Sequence, residues 1–172
     1  MRVLLLLIIL TFSAFTTLSQ TGLKTGLPAP VFTSQSIEGN FFDLDAKRGS
    51  VVVLTFWSTT CMICKSEIPR LNEFTSRYEG KDVIFLALTM ENEDRIAPFL
   101  QKNPFKFTIM PNSLGPILQY ADRDRSGNLD MGFPAFFVID KDGKLDYRSS
   151  GYDKTVSLGQ AIDRLISAKR SE

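Results

Sequence analysis

Cys61 and Cys64 stand in a Cys-Met-Ile-Cys run and are the only cysteines in a chain of 172 residues that contains no histidine. Three-residue spacing on a helix places two side chains on one face. It also brings their Cα atoms into the ~4.4–6.8 Å range that a disulfide requires. The chemistry open to such a pair is thiol–disulfide exchange. One thiolate attacks a substrate disulfide, a mixed disulfide forms, and the second thiol displaces it. A disulfide closing so small a loop adds little through chain entropy, so a chemical role outweighs a structural one. The absence of histidine removes Ser-His-Asp triads, Cys-His dyads and His-ligated zinc or haem. Two cysteines cannot by themselves complete a structural zinc site. No cofactor is expected beyond the Cys61–Cys64 pair itself.

The pair needs a particular setting to work. Val51–Trp57 (VVVLTFW) is a continuous β-branched and aromatic run, the pattern of a strand buried on both faces in the middle of a helix-covered sheet. From Met62 to Tyr78 the apolar period becomes helical, with Pro69 expected to kink the helix. Cys61 therefore falls at a strand-to-helix junction, beside unpaired backbone N–H groups and the positive end of the helix dipole. Both favour the thiolate. Cys64, one turn in, is expected to be more buried and to act as the resolving thiol.

Further elements follow in order. Thr21–Pro30 reads as a leader loop and Val31–Asp43 as a hairpin turning at Glu38-Gly39-Asn40. Val83–Leu88 and Ala135–Ile139 are two more buried strands. Asp94–Lys102 is a helix, Phe107–Met110 a short strand and Leu114–Ala121 a short helix. Asp140–Gly143 turns into a returning strand, and Thr155–Lys169 is a terminal amphipathic helix. Early strand–helix alternation implies parallel strands, and the late hairpin adds an antiparallel edge. Asp122–Gly127 begins like a calcium loop, but Arg123 and Arg125 add positive charge, and it reads as an exposed loop.

Residues 1–20 are a separate object. A positive start, the apolar run Val3–Leu10 and a small polar stretch to Gln20 have the order of a cleaved secretory signal. The alternative is an uncleaved N-terminal membrane anchor, for which the apolar run is short. Residues 21–172 then form one domain with 19 basic and 19 acidic residues. That balance argues against nucleic-acid binding. Export places the domain in the periplasm or another extracytoplasmic space, where thiols tend to oxidise.

Val51–Pro69 (VVVLTFWSTTCMICKSEIP) resembles the active-site segment of the exported thioredoxin-fold thiol-disulfide oxidoreductases of the TlpA/ResA-like (redoxin) family. Gly132-Phe133-Pro134 resembles that family's cis-proline loop, and Phe137–Lys144 its following strand and turn. The resemblance implies a thioredoxin-like α/β three-layer sandwich. In that fold a central mixed β-sheet carries helices on both faces, here with an N-terminal β-hairpin extension. It implies Cys61 and Cys64 as catalytic residues. It also implies a substrate rim of Trp57, Thr60, Met62, Ile63, Phe133 and Pro134, the last turning the backbone before it outward for strand-like pairing with substrate. Glu67 occupies a place where family members carry a glutamate that assists proton transfer or tunes the thiols. Its other reading is a solvated helix charge. Thr55 stands where thioredoxins often carry a buried acid. Thr60, Met62-Ile63 and Phe133 depart from the family's usual residues and make the rim bulkier and more apolar.

Neither Met62 nor Ile63 supplies positive charge, and a carboxylate at Glu67 opposes the thiolate. The Cys61 thiol is therefore expected nearer the free value of about 8.5 than the ~3.5 of strong oxidants, which favours a reductant or isomerase. Its partners would be protein thiols and disulfides. Cytochrome c maturation components are among the substrates of some relatives, and a reductant also needs a membrane electron donor. A monomer is expected. Two other functions compete. A peroxiredoxin-type thiol peroxidase would carry Pro and Thr where this chain has Leu54 and Ser58. A non-catalytic thioredoxin-fold binding module would not need the intact pair.

Overall fold

The computed structural model describes residues 22–168, so the expected export segment lies outside them. Along the chain, β1 (Thr33–Gln35) and β2 (Phe41–Asp43) form an antiparallel hairpin and a short 3-10 turn follows at Asp45–Lys47. Next come β3 (Val51–Phe56), α1 (Met62–Ser76), β4 (Val83–Leu88), α2 (Glu93–Lys102), β5 (Thr108–Met110) and α3 (Leu114–Tyr120). The small hairpin β6 (Asp122–Arg123) and β7 (Leu129–Asp130) precedes β8 (Ala135–Ile139), β9 (Leu145–Ser150) and α4 (Thr155–Ser167).

The main sheet has the order β5-β4-β3-β8-β9. β3, β4 and β5 run parallel, whereas β8 runs antiparallel to both β3 and β9. The strand period of two divides the apolar side chains between two cores. Val52, Leu54 and Phe56 of β3, with Ala135, Phe137 and Ile139 of β8, face the layer that holds α3 and the N-terminal hairpin. Val51, Val53 and Trp57, with Phe136 and Val138, face α1, α2 and α4. All six residues of β3 are buried. At roughly 1.5–3 kcal/mol for each large apolar side chain buried, this strand anchors both layers and fixes the position of the loop that follows it.

One local expectation changes. Residues 22–30 are not a free loop. The Gly26 N–H donates to the Leu145 carbonyl at 2.7 Å, the Leu145 N–H to that of Leu27 at 2.9 Å, and the Ala29 N–H to that of Gly143 at 3.0 Å. This leader occupies backbone groups at the start of β9 that would otherwise form an open edge. Pro69 sits inside α1, which spans Met62–Ser76. The Asp122–Gly127 segment is the exposed turn expected. Asp124 Oδ1 there accepts the N–H groups of Ser126 at 2.7 Å and Asn128 at 3.0 Å. Among the described residues no helix is long and apolar enough to cross a membrane.

Candidate active site

β3 and β4 end level with each other, Phe56 opposite Leu88. The chain leaves β3 through Trp57-Ser58-Thr59-Thr60 and enters α1 at Cys61, which is the N-cap residue with extended backbone (φ −79°, ψ 105°). The Cys61 N–H donates to the Ser58 carbonyl at 3.1 Å. The Cys64 N–H, one of the helix donors without an intrahelical partner, donates to Cys61 Sγ at 3.1 Å. When the pair is reduced, a donor aimed at this sulfur favours its thiolate. The two cysteines are joined as a disulfide with Cα atoms 5.2 Å apart. Their exposure is unequal: Cys61 is half-buried and Cys64 is 3% exposed. An incoming disulfide can reach the first sulfur and not the second, the asymmetry that attack followed by resolution requires.

Glu67, one turn after Cys64, is 1% exposed. Its Oε2 accepts the Asp153 N–H at 3.1 Å, and its Oε1 has no partner. The reading of Glu67 as a solvated helix charge is therefore overturned: α1 turns this position inward, on the stripe of Cys64 and Leu71. Asp153 adopts a left-handed φ of 55° and forms an ion pair with Arg70, whose guanidinium lies over the Tyr152 ring at 5.0 Å. The turn after β9 is thus fastened to α1 around Glu67. Thr55 is buried, and its hydroxyl also lacks a partner. It shares a face of β3 with Val53 and Trp57, beneath α1.

The rim is apolar and mostly open. Met62 is 76% and Ile63 45% exposed. Thr60 is exposed, its hydroxyl 2.9 Å from that of Ser58. Ala135 pairs with Phe56, so Phe133-Pro134 lies at the same end of the sheet as the Cys61 loop. Phe133 is half-buried, the Phe133–Pro134 bond is cis, and the buried Pro134 accepts the Gly151 N–H at 2.8 Å. Trp57 departs from expectation. It is 1% exposed, packed against Phe99 and Phe105 with ring centroids 5.4 and 5.8 Å away. The alternation of β3 points it under α2, so it supports the loop from beneath and does not meet a partner.

Reading the sequence alone missed Glu91. Its carboxylate accepts the Thr59 N–H at 2.7 Å, the Thr59 hydroxyl at 2.6 Å, the Ser58 hydroxyl at 3.4 Å, the Thr89 hydroxyl at 3.2 Å and Arg95 Nε at 2.9 Å. Burial pushes this carboxyl up. The hydrogen bonds from Thr59, Arg95 and Thr89 outweigh that and hold it below the usual carboxylate range. The signal that could have found it is register. β3 and β4 pair with a constant offset, Val51 with Val83 through Phe56 with Leu88. Continued past both strands, the same offset sets Thr59 against Glu91.

Comparison with known proteins agrees with this geometry. Residues 25–148 match the AhpC/TSA family. The thiol-disulfide oxidoreductase ResA of Bacillus thuringiensis subsp. konkukian is 28% identical over 170 residues, covering 95% of this chain and 94% of the relative. ResA of Bacillus cereus strain ZK is 32% identical over 125 residues, covering 72% of this chain and 68% of the relative. A Chlorobium tepidum crystal structure assigned as the thiol:disulfide interchange protein DsbE is 27% identical. It superposes with a TM-score of 0.70 over 84% of this chain and 99% of its own. With a Cys-x-x-Cys pair seated at the tip of the helix after the central strand, the chain belongs to the AhpC/TSA family and is a thiol-disulfide oxidoreductase of the ResA/DsbE type.

Proposed function

We propose that this oxidoreductase is exported by residues 1–20, works outside the cytoplasm on protein substrates, and reduces their disulfides. The observation that carries the reading is the charge around an unequally exposed pair. Met62 and Ile63 place no cation between the cysteines, and Glu67, one turn after Cys64, is buried in α1. A carboxylate there disfavours a highly stabilised thiolate, the feature that makes a strong oxidant.

In the forward step the Cys61 thiolate attacks one sulfur of a substrate disulfide. The Cys61–substrate bond forms, the substrate S–S bond breaks, and the departing thiolate takes a proton. Cys64 then loses its proton and attacks Cys61 Sγ. The intramolecular disulfide forms, and the second substrate thiolate leaves and is protonated. Two electrons pass to the substrate. A membrane electron donor would restore the dithiol, and cytochrome c maturation components fit as partners by family resemblance. Thr60, Met62, Ile63 and Phe133 would form the apolar contact surface, with Pro134 beneath them.

Equilibration with glutathione buffers tests the direction. A potential toward the ~ −270 mV of thioredoxin agrees with the proposal, and one near the ~ −120 mV of strong oxidants contradicts it. The peroxidase reading has no comparable support. Leu54 lies in the core, and the Ser58 hydroxyl is engaged with Thr60 and Glu91.

A further inference from the structure

Four segments meet at Glu91. The carboxylate binds the loop after β3 through Ser58 and Thr59, the end of β4 through Thr89, and the first turn of α2 through Arg95. The Glu91 main-chain carbonyl accepts the Asn112 N–H at 3.0 Å, at a corner where Asn112 holds a left-handed φ of 52°. From Thr59 the order passes directly to the nucleophile. The Thr60 N–H donates to the Ser58 hydroxyl at 3.2 Å, and the Cys61 N–H to the Ser58 carbonyl at 3.1 Å. The same turn sets Cys61 as the N-cap whose sulfur receives the Cys64 N–H.

We infer that Glu91 is a positioning residue for thiol–disulfide exchange: it clasps the Ser58–Thr60 loop and so holds Cys61 Sγ at the tip of α1, where it is reachable and aligned with the Cys64 N–H. This rests on Cys61 being the attacking sulfur. A short, doubly bonded contact to Thr59 fixes both main chain and side chain of the residue two before the nucleophile. A loop released from it lets the sulfur wander from the helix axis, and displacements of about 1 Å cost up to ~10²-fold in rate. Glu91 is the charged group bonded to this loop, and Arg95 on α2 reaches it through Glu91; α1 carries Lys65, Glu67 and Arg70, the last paired with Asp153.

A clasp and a bare charge predict opposite signs. If Glu91 acted only as a negative charge, removing it would favour the thiolate. The pH profile of Cys61 alkylation would then move to lower pH and the rate would rise. If it acts as a clasp, Glu91→Ala loses the alignment with the Cys64 N–H, so the profile moves to higher pH and insulin reduction falls by about ten- to a hundredfold. Thr59→Val keeps every charge and the Thr59 N–H and removes one of the hydrogen bonds. It moves the profile in the same direction by less, and Thr59→Ser restores wild-type behaviour.

The experiment measures iodoacetamide labelling of Cys61 against pH, by peptide mass mapping, together with insulin turnover and thermal unfolding. A shift to lower pH, or a lowered unfolding temperature with unchanged profile and turnover, overturns the inference. Should wild-type protein label Cys61 no faster than Cys64, it is the assignment of the nucleophile that fails. That result is visible before any variant is compared.

Discussion

Glu67 offers a sharp test because the structure separates its two possible jobs. Its Oε2 holds the Asp153 N–H at 3.1 Å, and its Oε1 has no partner. Glu67→Gln can keep a carbonyl oxygen on that N–H, so its stability should stay within ~1 kcal/mol of wild type. Glu67→Leu removes the acceptor of this part-buried bond, which costs roughly 0.5–1.5 kcal/mol. A carboxyl one turn from Cys64 that also carries a proton for the resolving step makes a different prediction. Both variants then slow that step by ~10²-fold, the lower end of general acid–base contributions, and flatten its pH dependence. The assay is stopped-flow release of a labelled peptide from a preformed mixed disulfide on Cys61, followed across the neutral range, with chemical denaturation in parallel. A Gln variant with wild-type rate and pH profile, beside a Leu variant that is merely less stable, would refute proton handling. Glu67 would then be a peg for the turn after β9.

Two further outcomes follow from the packing and the rim. Tyr78 donates to the Asp163 carboxylate at 3.1 Å, and burial first, then that bond, push its hydroxyl up to about 12. The folded state binds this proton more tightly than the unfolded one, so the stabilisation is complete below the unfolded value of about 10 and is lost as pH rises toward about 12. Tyr78→Phe should remove this alkaline loss when urea midpoints are measured against pH. Replacing Met62 and Ile63 together by Ser should raise KM for insulin several-fold and leave a small aromatic disulfide unaffected. An equal change for both substrates would mean that these side chains tune the sulfur and do not contact protein.

The cysteine pair was legible because its setting is local. A β-branched run, four linking residues and a helical period place Cys61 at a helix tip whatever the rest of the chain does. The buried strands Val83–Leu88 and Ala135–Ile139 were legible for the same reason, since continuous apolar runs of that length have few other uses. Glu91 was not, because it lies in a polar Glu-Asn-Glu-Asp stretch that reads as solvated and acquires meaning only through the β3–β4 register. The leader at residues 22–30 has the Gly and Pro content of a loop, yet its backbone bonds to the start of β9, a pairing with no side-chain pattern to announce it. Trp57 was placed on the rim by the family resemblance. The alternation along β3, already visible in the apolar run, would have turned it inward.

The exchange mechanism depends most directly on which sulfur attacks. Mature protein carrying Cys64→Ser, incubated with a disulfide-bonded peptide and analysed by intact mass, should accumulate a stable adduct on Cys61. The Cys61→Ser counterpart should remain unmodified, because Cys64 is 3% exposed. Adducts forming equally on both variants, or only on Cys64, would contradict it.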